Sequence, residues 1–154
     1  MLWCMHSLLI AALAALFLCA CGDHDEIPPY PIALVMADDA TAEQVEHIEA
    51  SAAMWEAKTG CDLFRVTSGH AHGPSRAIVF NDVPGGYHNA HTNVITLHVD
   101  AVQFGHVTAE HELGHALGLG HEGGHLMASP GTAPGDLSAE QVEDVRFWYH
   151  HLMD

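Results

Sequence analysis

Apolar positions along residues 32–152 change period several times, and each change marks an element. Ile32–Met36 is a short unbroken apolar run, which predicts a strand. Thr41 with Gln44 three residues on forms a capping box, and Val45, Ile48, Ala52 and Trp55 follow at helical spacing. This predicts a helix through about Lys58, ended by Gly60. Asp62–Thr67, Ala77–Asn81 and the β-branched run Val94–Val99 read as strands. Pro84–Asn89 is turn-rich and has room for an irregular edge strand. Asp100 with Gln103 predicts the cap of a second helix running to about Leu117. Ser138 with Gln141 repeats the box for a last helix to about Leu152, with Val142, Val145, Tyr149 and Leu152 as its buried stripe.

The second helix carries the chemistry. His111-Glu-Leu-Gly-His115-Ala-Leu-Gly118-Leu-Gly-His121 reads H-E-x-x-H-x-x-G-x-x-H, with Met127 six residues downstream. Four residues are just over one helical turn, so His111 and His115 stack on one face about 6 Å apart along the axis. Glu112 lies about 100° round the helix, close to a shared ion without having to bind it. A continuing helix would carry His121 away. Gly118 permits a left-handed turn that swings the chain back, and Gly120 loosens the same turn. Three imidazoles and an open position are what a catalytic zinc ion requires. Such an ion lowers the pKa of a bound water from 15.7 to roughly 7, with Glu112 placed to take the proton and pass it to a leaving amine.

The stretch 107–121 resembles the active-site helix of matrixins, within the metzincin metallopeptidases, and Leu126-Met127 resembles that clan's Met-turn. The resemblance is specific over about residues 102–130. It implies an α+β, zincin-like domain with a small twisted mixed β-sheet, a long active-site helix, a Met-turn and a C-terminal helix. It also implies zinc-dependent endopeptidase activity on protein or peptide substrates, with His111, His115 and His121 as ligands, Glu112 as general base and Met127 beneath the ligands. In that clan an edge strand lines the cleft and pairs with extended substrate. Glu122 after the third His is more like the astacin branch. Ser129 stands where astacins carry a Tyr, Pro130 falls one residue late for a matrixin, and the interval from His121 to Met127 is short, so no branch is assigned. Two other classes compete: a non-catalytic zinc-binding envelope lipoprotein, and a zinc amidase acting on cell-wall peptides.

The N-terminus bears on location. Residues 8–18 are an apolar run of eleven, too short to span a bilayer and fitting a signal-peptide core. Leu18-Cys19-Ala20-Cys21-Gly22 resembles a bacterial lipobox, although residues 1–7 contain no Lys or Arg. The expected organisation is a lipoprotein-type signal over 1–20, a Pro-rich acidic tether over 21–31 with Cys21 lipidated, and one domain over 32–154. An exported, envelope-anchored monomer follows, with a secreted form as the alternative. Diacylglycerol and an amide-linked chain supply the two signals stable anchoring needs. Cys61 is then left without a bridging partner and reads as a small buried apolar residue.

Charge narrows the partners. Asp and Glu outnumber Lys and Arg by 20 to 4, which makes nucleic acid and anionic lipid surfaces poor partners. Fifteen histidines are many for the length, and those outside the motif are expected mostly on surface loops. His70, His72, His88, His91 and His98 fall where matrixins carry a structural zinc site. Their spacing does not match it, so a further structural Zn²⁺ or Ca²⁺ is left open.

Overall fold

The computed structural model describes residues 30–82, 85–100, 107–122, 125–128 and 136–153. Five strands and three helices follow in the order β1 (Ile32–Met36), α1 (Ala42–Thr59), β2 (Phe64–Ser68), β3 (Ser75–Asn81), β4 (Gly86–Asn89), β5 (Val94–His98), α2 (Val107–Ala116) and α3 (Ala139–Met153). The strands make one mixed sheet in the order β2-β1-β3-β5-β4, so the chain has a mixed α+β fold. β1 pairs in parallel with β2 and β3, and β3 with β5, while β4 lies antiparallel to β5 at the edge. The expected signal peptide, Cys21 and nearly all of the tether lie outside the described residues, as do Gln103, Ser129 and Pro130. No helix among the described residues is long and apolar enough to cross a membrane.

Local chemistry sets most boundaries where the pattern put them. Thr41 caps α1 with both halves of the capping box formed, and Gly60 closes it in a left-handed conformation at φ 74°. Glu56 near the end of α1 then accepts from the backbone N–H groups of Leu63 and Phe64, at 3.1 and 3.0 Å. The chain before Phe64 is therefore held by the helix, and β2 begins two residues later than the expected Asp62. β3 starts two residues earlier than expected, at Ser75, because its N-terminal end pairs with β1 (Ala33 opposite Ser75).

Pro84–Asn89, read as turn-rich, does contain an edge strand. β4 and β5 form a hairpin in which Asn89 Oδ1 accepts from Thr92 N–H at 3.2 Å, and Asn93 takes φ 56°. The described part of the second helix runs from Val107; residues 101–106, and with them the expected cap of Asp100 with Gln103, lie outside the description. Asp100 itself stands in a turn, its N–H donating to His98 Nδ1 at 3.0 Å.

One core joins the sheet to the helices. Ile32 and Leu34 of β1, Ile78 of β3, Ile95 and Leu97 of β5, Ile48 and Trp55 of α1 and Leu113 of α2 are at most 1% exposed within it. Cys61 is buried there too, as expected. The Trp55 indole N–H donates to Glu110 O at 2.9 Å, which ties α1 to α2 and satisfies the polar end of a fully buried ring. On α3, Val145 is fully buried, whereas Val142 and Tyr149 are only half-buried. Arg146 docks α3 on the end of α1: its Nε donates to Thr59 O at 2.7 Å and its Nη2 to Lys58 O at 3.3 Å. Those are terminal carbonyls of α1, where a cation is favoured.

A candidate metal centre at the end of the second helix

The α2 helix ends where a metal site requires it to. Gly118 N–H donates to His115 O at 3.0 Å and Leu119 N–H to Gly114 O at 3.1 Å, while Gly118 takes φ 90°. These are the two bonds of a Schellman motif with glycine at the left-handed position. Leu119 is thereby turned so that its carbonyl lies 2.8 Å from His115 Nδ1. Gly120, read as loosening the same turn, takes no left-handed φ and has open space where a Cβ would stand. The reversal belongs to Gly118.

The reversal brings three histidines together. Their Nε2 atoms form a nearly equilateral triangle: His111 to His115 3.1 Å, His115 to His121 3.2 Å, His111 to His121 3.3 Å. His111 Nδ1 lies 2.7 Å from Leu126 O. A carbonyl can only accept, so Nδ1 carries the proton on His111 and on His115, and each Nε2 presents a lone pair. With both rings neutral, those two Nε2 atoms face each other with no proton between them, an arrangement that a shared cation satisfies. A tetrahedral zinc with Zn–N of about 2.0–2.1 Å has its nitrogens about 3.3–3.4 Å apart, so the triangle is near the right size.

Carbonyl acceptors behind ligating imidazoles are also the outer-shell arrangement that fixes tautomer and ring orientation. Burial lowers the His115 pKa to about 4, the Leu119 carbonyl opposing and the neighbouring His111, His121 and His88 deepening the effect. His121 is lowered as well, by burial first and His111 second. Neutral imidazoles are the form that binds metal.

Glu112 is 5% exposed, and burial pushes its carboxyl up to about 8 against a hydrogen bond from the His88 backbone. Its Oε2 is buried without a hydrogen-bond partner among the described residues. Leaving a buried carboxylate oxygen unsatisfied is costly, and nearby positive charge would offset it. β4 reaches Glu112 because Gly86 has no side chain: a Cβ there would stand 2.7 Å from Thr108 Cγ2 and 3.2 Å from Glu112 Cγ.

Met127 is fully buried against α2. A Cβ on Gly114 would collide with the Met127 sulfur and come within 3.0 Å of Trp55 Cζ2. Seating Met127 here sets Leu126, whose carbonyl holds His111.

The four residues read as ligands and base, with Met127, are thus brought into one neighbourhood, and among the described residues His111, His115 and His121 form the single group able to hold a metal ion. His70, His72, His88, His91 and His98 do not converge into a second one. His47 departs from the expectation that the remaining histidines lie on surface loops: it is 2% exposed, inside α1. The His88 backbone, the carbonyls of Leu119 and Leu126, and Gly86 escaped the sequence reading, because contacts made through the backbone leave no residue-type signal. Gly114 had one. A glycine inside a helix costs about 1 kcal/mol relative to alanine and marks a close approach.

No protein-family model matches the chain, and no curated protein does. Among solved structures it is similar to high choriolytic enzyme 1, a hatching-enzyme zinc protease of Oryzias latipes (medaka fish), at 20% identity and a TM-score of 0.44. That similarity covers 61% of this chain and 46% of the enzyme, so this chain spans less than half of that enzyme's length.

Proposed function

We propose that the chain is a metzincin-type zinc metalloendopeptidase that hydrolyses peptide bonds outside the cytoplasm, anchored through a lipidated Cys21. The observation that carries the reading is the Nε2 triangle at 3.1–3.3 Å, with two of its tautomers set by carbonyl acceptors. Zinc bound by His111, His115 and His121 would supply a Lewis acid that polarises a carbonyl and acidifies water.

The chain's own residues do the rest. Glu112, buried beside the ligands with a free oxygen, takes the proton from the attacking water and delivers it to the leaving amine. β4, at the sheet edge and against α2, offers its outer backbone to an extended peptide. Met127 keeps Leu126 O on His111 and so acts in support of the ligand.

The test is hydrolysis of casein, a peptide library and cell-wall peptides by the full chain and its Glu112→Gln variant. The native protein is expected to cleave protein substrates. Glu112→Gln is expected to keep its zinc and lose cleavage. Zinc uptake with no hydrolysis by the native protein would favour a metal-binding lipoprotein, and cleavage confined to wall peptides would favour an amidase.

A further inference from the structure

We propose that Gln141 is a positioning residue of this metal centre, a buried strut that holds His121 in register with the two ligands on α2. The inference rests on the zinc reading above.

His111 and His115 are fixed by the helix they share. His121 comes from the chain beyond the Gly118 reversal, and the residue next to it ties that chain down. Glu122 N–H donates to Met127 O at 2.7 Å, and Glu122 Oε2 accepts from Gln141 Nε2 at 3.2 Å. Gln141 is 0% exposed, and an amide so placed must have both ends satisfied. Its Oε1 accepts from Ser138 N–H at 3.0 Å, while its own N–H donates to Ser138 Oγ at 3.0 Å.

One side chain therefore completes the cap of α3 and reaches 19 positions back along the sequence to the residue that follows the third ligand. α3 is itself pinned to the end of α1 through Arg146, so the strut has a fixed footing. The other capping-box glutamine, Gln44, is half-buried and also reaches beyond its own cap, to Val99 O at 3.4 Å. Gln141 differs in its full burial and in its partner, the residue beside the third ligand, and a cap alone explains neither.

The polarity of the strut can be reversed. Glu at 141 keeps the capping box, but set against Glu122 it places two carboxylates together. Exchanging the pair, Glu122→Gln with Gln141→Glu, restores a donor facing an acceptor.

The experiment measures zinc affinity of the full chain by chelator competition, the absorption spectrum of the Co²⁺ form, and Tm of the metal-free protein. Gln141→Leu and Gln141→Glu are each expected to weaken zinc binding about tenfold or more, the range for partners behind a metal ligand, and to alter the Co²⁺ spectrum. The exchanged pair is expected to recover the native affinity and spectrum. A fall in Tm with zinc affinity and Co²⁺ spectrum unchanged would reduce Gln141 to a helix cap and overturn the proposal, as would failure of the exchanged pair to recover. Native protein that takes up zinc while these variants bind it equally well removes the strut alone. Native protein without zinc removes the strut and the metal reading together.

Discussion

Replacing Gly114 with alanine pits two opposing effects against each other. Inside a helix the change ordinarily stabilises by about 1 kcal/mol, because alanine loses less backbone entropy. Here the new Cβ collides with the Met127 sulfur and stands 3.0 Å from both Met127 Cε and Trp55 Cζ2, the latter on a fully buried ring. Adding a methyl to a packed interior costs about 1–3 kcal/mol. With the Trp55 ring unable to give way towards solvent, the upper part of that range applies, and the net expectation is a loss of about 1–2 kcal/mol. For a domain of this size that is a fall of several degrees in Tm.

The collision also pushes on Met127, and through Leu126 O on the His111 ring, so zinc affinity falls with stability. Thermal unfolding of the metal-free protein and zinc competition measure the two effects. In a Met127→Ala background most of the collision disappears and the cost of Gly114→Ala shrinks towards zero. Gly114→Ala at or above native stability, with zinc affinity unchanged, would refute the close contact and the path from Met127 to His111.

Gly118→Ala puts a side chain on a residue at φ 90°, which costs about 1–3 kcal/mol and loosens His121, while Gly118→Asn costs less because asparagine tolerates left-handed backbone; stability and zinc competition on the pair give the ranking, and equal behaviour of the two would contradict the turn. In the metal-free protein two buried groups titrate in opposite senses: Glu112, raised from 4.5 to about 8, favours the folded state as pH falls through that range, and His115, lowered from 6.5 to about 4, opposes it below pH 6.5. Glu112→Gln removes the first effect, so in that metal-free variant about 3 kcal/mol present above pH 6.5 is gone below pH 4; denaturant midpoints of the variant across that window test this, and a flat profile there would contradict the burial of the ring. Cys21→Ser releases the protein from membranes into the soluble fraction, and continued membrane attachment would rule out the lipid anchor.

Much of this arrangement is written in short-range signals. Thr41 with Gln44, Ser138 with Gln141, and Gly60 mark helix ends by hydrogen bonds made within a few residues, and they hold in the structure. The triad is legible for the same reason: two ligands share a helix face, and the third follows a glycine whose φ the turn demands. Strand order is not local. Nothing in Ile32–Met36 or Val94–His98 states that β3 stands between them, because pairing depends on how the two sheet faces are covered. The two-residue shift at Asp62 has a similar cause, Glu56 of the preceding helix holding the N–H groups of Leu63 and Phe64. Gln141 shows the limit most plainly. Its bond to Ser138 could be read from spacing, but its bond to Glu122 arises only when α3 packs beside the ligand loop.

X-ray absorption at the zinc edge reads the ligand shell of the bound ion itself. One zinc per chain is expected, with three imidazole nitrogens at about 2.0–2.1 Å and a light-atom fourth ligand. Histidine to alanine changes at His111, His115 or His121 each remove an imidazole from that shell. A protein that takes up no zinc, a sulfur ligand at about 2.3 Å, or a shell unaffected by loss of His121 would contradict it.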